Sequence, residues 1–293
     1  MIRFSKYIWI YIVISSLVLV PGMYALFQWG LRASIDFTGG SILEVKLKKR
    51  LSLEDIRTMG KTNEVDLVDV AESNQHVYTI RYKSINVSNI SSFEQSLQIE
   101  GETMDVLRKD MVGPVIGKEL LSKAIVASLL VVIAILSYVA YAFKSVTFGI
   151  SAVVSLVHDM LVMFGTFSLL GHFFGVEVDT LFVTAFLTTM SFSVHDTIVI
   201  FDRIREYRKK DTRSTLSNIS DIALTETMGR SLVNSFTIIF MLLSLVLMGG
   251  ETVRWFAVAL LIGTITGTYS SPFIATPVLL LLERLEKKRA GKH

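Results

Sequence analysis

Residues 191–210 read SFSVHDTIVIFDRIREYRKK. As far as Phe201 the run is apolar enough to lie in hydrocarbon, yet His195 and Asp196 stand side by side within it. From Asp202 onward charge takes over, and Arg203, Arg205, Arg208, Lys209 and Lys210 close the segment. An aspartate near the middle of a spanning helix costs about 2.5–3.5 kcal/mol on insertion scales. A group that expensive points to a polar path or a partner inside the membrane. The basic run is explained separately, because lysine and arginine gather where spans meet the cytoplasm. Composition places the whole chain in the same class. Hydrophobic residues make up 51% of it and the mean hydropathy is +0.53, too apolar for an ordinary soluble domain.

A helix needs about 20 mostly apolar residues to cross the bilayer. Six stretches qualify: 7–27, 120–143, 146–170, 180–201, 230–248 and 253–282. Arg3 and Lys6 before the first stretch resemble the start of a signal peptide, but the apolar run is long and no small-residue cleavage site follows, so it reads as an uncleaved anchor. Basic residues lie before the first stretch, between the second and third (Lys144), after the fourth, and after the sixth (Arg284, Lys287, Lys288, Arg289). All of these place both termini in the cytoplasm. The basic pI of about 9 follows from those segments and does not imply a nucleic-acid partner. With no cysteine, disulfides and iron–sulfur clusters are excluded.

The expected organisation is a first helix (1–29), an extracytoplasmic domain (30–118), a five-helix bundle (119–283) and a basic tail (284–293). Within the insert, SILEVKL alternates like a strand, and LSLEDIRTMGK reads as a helix with Ser52 as N-cap and Gly60 as stop. VDLVDVAE and HVYTIRYKS read as strands joined by a turn at Ser73 and Asn74, NVSNISSFEQSLQIE as a helix, and TMDVLRKDMVG as a last strand. The order β-α-β-β-α-β predicts a ferredoxin-like sandwich. GPVIGK is not a phosphate loop, since only three residues separate Gly113 from Gly117 and Glu119 follows Lys118. DFTGG reads as a tight turn leaving the first span.

Two intramembrane aspartates follow histidines: His158–Asp159 in VSLVHDMLVMF and His195–Asp196 in SFSVHDTIVIF. Neighbours on a helix diverge by about 100°, so each histidine and its aspartate are expected to face different surroundings. Ser151, Ser155 and Thr189 continue the polar faces and suit helix packing. Arg230 opens the fifth span at a depth compatible with Asp196, which predicts an ion pair between them. A carboxylate alternately paired and protonated is the working element of a proton relay, and His158 and His195 have the ordinary pKa range to join one. A metal centre would need both aspartates and both histidines at one depth; Asp159 lies nearer the bilayer middle and Asp196 nearer the cytoplasm. No nucleophile–base constellation for hydrolysis stands out, and no cofactor is expected. Gly263 and Gly267 in GTITGTYSS have the G-x-x-x-G spacing of close helix packing, with Pro272 and Pro277 placed to kink the rest of the last span.

IDFTGG after the first span, VGPVIGKEL before the second, VHDTIVIFDRIRE across the fourth and GRSLVNS opening the fifth resemble, in order, the SecF family of the bacterial Sec protein-export machinery. The resemblance implies half of an RND-type transporter, with six helices and a periplasmic domain between the first two. It implies a SecD partner, association with the SecYEG channel and a translocating polypeptide, and energy drawn from a proton or sodium gradient. The family's membrane carboxylate falls on Asp196 and its membrane arginine on Arg230. Where the family commonly has asparagine, this chain has His195, a second titratable group beside the carboxylate. Two other readings stay open: an RND-type exporter of small molecules or lipids, and a scaffold for the channel that transduces no energy.

Overall fold

The computed structural model describes residues 3–48, 50–72, 76–83, 87–98, 104–143 and 145–290. A 3-10 turn, Phe4–Tyr7, enters α1 (Ile8–Trp29). The insert contains α2 (Ile35–Thr38), β1 (Gly40–Lys46), α3 (Leu53–Thr62), β2 (Leu67–Glu72), β3 (Val77–Tyr82), α4 (Val87–Leu97) and β4 (Asp105–Val112). Then come α5 (Pro114–Phe143), α6 (Val146–Phe174), α7 (Thr180–Lys210), α8 (Leu216–Met248) and α9 (Glu251–Ser270). A π-helical turn, Ser271–Ala275, joins α9 to α10 (Thr276–Ala290). The chain divides into two compact units, residues 33–125, and residues 1–32 together with 126–293.

In the smaller unit the strands pair antiparallel in the order β2-β3-β1-β4. That order arises when two split β-α-β units interleave, which is the ferredoxin-like arrangement. Alternation puts Leu43 and Val45 of β1 beside Tyr78, Ile80 and Tyr82 of β3 on one face. Against that face lie Ile56 of α3 and Ile90, Phe93 and Leu97 of α4, the last three at helical spacing. The α3 N-terminus carries a reciprocal capping box: Asp55 N donates to Ser52 Oγ at 3.1 Å, and Ser52 N donates to Asp55 Oδ2 at 3.3 Å. Ser52→Ala is therefore expected to weaken α3 by about 1 kcal/mol. Hydrogen exchange of the α3 amides on the intact chain, with β1 as reference, would register it; unchanged α3 protection would refute the capping role.

One local expectation is corrected and another gains detail. Gly60 does not end α3, which runs on to Thr62. The missing side chain serves packing instead, since a Cβ at Gly60 would lie 2.4 Å from Leu67 Cδ1. DFTGG contains a helical turn capped by Ser34, followed by Gly39 and Gly40 with φ of 72° and 125°, a conformation that glycine alone adopts cheaply. The turn expected at Ser73 and Asn74 lies outside the described residues.

Among the described residues, six helical stretches are long and apolar enough to cross a membrane: Phe4–Trp29, Val115–Phe143, Val146–Phe174, Thr180–Lys210, Leu216–Met248 and Val253–Lys288. They match the expected spans in place and order, with two differences. α8 starts at Leu216, capped by Thr215, well before the apolar run begins. Its polar first turns bury Leu216, Ile219, Ala223 and Leu224, and Asp221 there accepts hydrogen bonds from Ser5 N at 2.9 Å and Ser5 Oγ at 2.8 Å. Pro272 does not merely kink the last span; it sits in the π-helical turn, where a missing N–H is accommodated by resetting the hydrogen-bond ladder. α6 and α7 are the most enclosed spans, and α1, α8 and α9 pack around them.

Candidate functional site

The buried face of α6 repeats every third or fourth residue and carries Ser151, Ser155, His158 and Asp159. The facing side of α7 carries Thr189, Ser193, Asp196 and Thr197. α9 comes close because it is bare at the contact. A Cβ on Gly263 would lie 2.4 Å from Thr189 Cβ, and one on Gly267 would lie 2.9 Å from Ser193 Cβ. That close approach brings the end of α9, with Ser270, to the level of Asp159.

Asp159 is the hub. It is 7% exposed, and its Oδ2 accepts from Ser193 Oγ at 2.5 Å and from Ser270 Oγ at 2.6 Å. Its Oδ1 lies 3.0 Å from His158 Nδ1, and His158 Nε2 lies 3.1 Å from Ser15 Oγ of α1. With Asp159 ionised, Nδ1 carries the ring proton toward the carboxylate, and Ser15 can then donate to Nε2. Tyr269 OH donates to the Tyr11 carbonyl at 2.8 Å and stands 3.4 Å from Ser15 Oγ. One carboxylate thus ties α1, α6, α7 and α9 through hydroxyl groups and an imidazole. In chemical terms this is an acid next to a titratable ring, a pair that can pass a proton across one hydrogen bond.

Asp196, 6% exposed, accepts from Ser231 Oγ at 2.7 Å. The expected partner, Arg230, is displaced: among the described residues no ion pair joins Asp196 to Arg230. Ser231 and Arg230 are successive residues of α8, so turning one toward α7 swings the other about 100° away. Arg230 is exposed and lines a cleft with Tyr138 and Phe143 of α5 and Val199 of α7. At His195–Asp196 the two side chains do diverge, the aspartate buried and the histidine exposed. At His158–Asp159 they do not, because the ring folds back onto its neighbour's carboxylate.

The residues read as packing groups divide. Ser151 donates to the Thr147 carbonyl at 2.7 Å and Thr189 to the Phe186 carbonyl at 3.0 Å, ordinary ways for a helix to satisfy its own hydroxyls. Ser155 Oγ, one turn before Asp159, is buried and has no hydrogen-bond partner among the described residues. Sequence reasoning missed Ser15, Ser231, Tyr269 and Ser270. The small polar run TYSS after Gly267 signalled only close packing, and a lone serine in the first span signalled nothing. A further feature is a polar stripe on the exposed side of α7, formed by Thr184, Thr188, Ser191 and His195.

Residues 92–285 match the family model described as "Protein export membrane protein SecD/SecF, C-terminal". A protein translocase subunit SecF from Thermobaculum terrenum is 38% identical, over 97% of this chain and 94% of that protein. The SecF of Vibrio alginolyticus is 33% identical, over 96% of this chain and 90% of its own length. The chain belongs to the SecF family.

Protein export is therefore its setting, and these relatives give no support to the small-molecule exporter reading. Among solved structures it is similar to SecDF, a translocon-associated membrane protein, from Thermus thermophilus, with a TM-score of 0.84 and 26% identity. The alignment covers 97% of this SecF chain and 39% of the SecDF chain. A SecDF in a super-membrane-facing form aligns with a TM-score of 0.72, over all of this chain and 40% of that one. A SecF chain thus corresponds to about two-fifths of a SecDF chain, and both intramembrane V-H-D segments lie inside the family match.

Proposed function

We propose that this chain works beside a SecD partner at the SecYEG channel and couples a proton or sodium gradient to late steps of protein export. Both termini lie in the cytoplasm, and residues 30–118 work on the outer side of the membrane. The observation that carries the reading is the pair of nine-tenths buried carboxylates, Asp159 on α6 and Asp196 on α7, held by hydroxyl donors rather than by arginine or lysine. Helix packing needs only neutral polar groups, and a charge at this depth is retained where its charge state changes.

An ion arriving at Asp196 neutralises it and releases Ser231, which loosens α8 against α7. Arg230, one residue away, is placed to replace the ion by turning toward the carboxylate. Asp159 and His158 hold the inner part of the same path, and their hydrogen bonds shift α1 and α9 with each change of charge. The exposed stripe of Thr184, Thr188, Ser191 and His195 is where SecD covers α7: the three hydroxyls donate to carbonyls of their own helix, and the exposed imidazole of His195 is the group that lipid cannot satisfy.

The test is export into vesicles that contain this chain, SecD and the channel, with and without an imposed proton or sodium gradient. Export is expected to rise several-fold when either gradient is imposed, since about 2.3 kcal/mol is available per charge per 100 mV. Equal export with and without both gradients would overturn the coupling and leave the scaffold reading.

A further inference from the structure

The sheet of the unit formed by residues 33–125 ends in an open edge at β2. Among the described residues, β2 is paired only with β3. Backbone direction follows from two bonds that flank β3: Leu47 N donates to the His76 carbonyl at 2.9 Å, and Lys83 N donates to the Asp66 carbonyl at 2.9 Å. Even-numbered residues of β3 therefore address β1, and odd-numbered ones address β2. The pairs Thr79–Ala71 and Arg81–Asp69 then turn the backbones of Ala71 and Asp69 inward, and those of Val70 and Glu72 outward.

Beside this edge lies a cavity of about 440 Å³, within the size range of a small-ligand pocket. Arg57 and Lys61 of α3 form one wall, and the run from Val65 to Val70 forms the other. A bulge between Leu67 and Asp69 re-aims Val68, which is 58% exposed. The turn into the strand is held by Glu64 at a φ of 55°, a conformation uncommon for a residue with a side chain. A strand edge facing a helix across a side-chain-sized cleft is the geometry of peptide binding by strand addition.

We propose that the β2 edge and its cleft bind an extended, unfolded segment of polypeptide as an added strand. Backbone groups of Val70 and Glu72 supply sequence-independent hydrogen bonds, and the cleft takes alternate side chains. The lining argues for polypeptide over lipid: valines lie among charges of both signs, which suits a mixed sequence and disfavours an acyl chain. The inference rests on the export reading only for the source of the extended chain; binding itself requires no gradient.

The test places a photo-crosslinking residue at Val68 in the full chain, purified with SecD, and a control at Leu107 on the opposite edge strand, β4. The probe is a reduced, carboxymethylated polypeptide that cannot fold, compared with its native form. Labelling from Val68 is expected to exceed both the Leu107 control and the folded probe by at least about fivefold. Glu72→Pro removes an outward N–H at an edge where proline is tolerated, and it should abolish the excess, whereas Glu72→Ala should retain it. Equal labelling at both edges, excess labelling that survives Glu72→Pro, or adducts only to SecD would overturn the proposal. Since the measurement is made without a gradient, its failure is distinct from failure of ion coupling.

Discussion

Asp196→Asn and Asp159→Asn are each expected to bring gradient-driven export down to the level seen without a gradient. The loss in the coupled rate should be at least about tenfold, equivalent to ~1.4 kcal/mol in the coupled step. The amide keeps the size of the side chain and removes the charge, so the two variants separate coupling from packing. Asp196 accepts one hydroxyl, from Ser231, and an asparagine carbonyl can accept the same bond. Asp196→Asn should therefore co-purify with SecD as wild type does. Asp159 is more demanding, because Ser193, Ser270 and His158 all converge on it. An asparagine presents one acceptor and one donor group, so His158 must change tautomer or a serine must turn away. Some loss of stability should accompany loss of coupling at Asp159 and be absent at Asp196. Full gradient-dependent export in Asp196→Asn would sink the relay. Loss of SecD binding with coupling otherwise normal per assembled complex would convert both residues into packing groups.

What could be read from the residues alone depended on which coordinate each signal reports. Hydropathy measures position along the chain, and it located the spans because twenty apolar residues have few other uses. It could not show that α8 begins at Leu216, since those first turns bury one apolar face and expose a polar one, and the average looks soluble. The insert's strand order was legible because Leu43 and Val45, and Tyr78, Ile80 and Tyr82, alternate with polar neighbours. Gly60 was misread because a glycine near a helix end also suits close packing, and Leu67, its neighbour, belongs to the next strand.

In the site, depth along the helix was legible and azimuth was not. Asp196 and Arg230 do lie on neighbouring spans, yet one residue of rotation gives the contact to Ser231. Asp159 was singled out by its cost, but its contacts were hidden for a related reason. Its serine partners come from two other helices, α7 and α9, and α1 reaches it only through His158; nothing in one segment announces that Ser193 and Ser270 converge on the carboxylate or that Ser15 backs the ring.

Gly263→Val is expected to have a large structural effect on the bundle. A Cβ there would fall 2.4 Å from both Cβ and Cγ2 of Thr189, far inside contact distance, on the helix pair that presents Ser270 and Ser193 to the same carboxylate. Overpacking a tight core costs roughly 1–3 kcal/mol, more when backbone must move. Here α9 cannot retreat without stretching the bonds to Asp159, so the cost falls on the site as well as on the fold. Accumulation of the chain in the membrane should drop several-fold, and the remaining protein should show weakened gradient dependence. Gly263→Val combined with Thr189→Gly exchanges the two side chains across the contact and should recover most of both, a coupling that a double-mutant cycle isolates. Gly149→Ala in α6, where an added Cβ meets nothing within 4 Å, should be silent or slightly stabilising. Were Gly263→Val to accumulate and couple normally, α7 and α9 would not be held at this distance in the membrane, and the convergence on Asp159 would lose its basis.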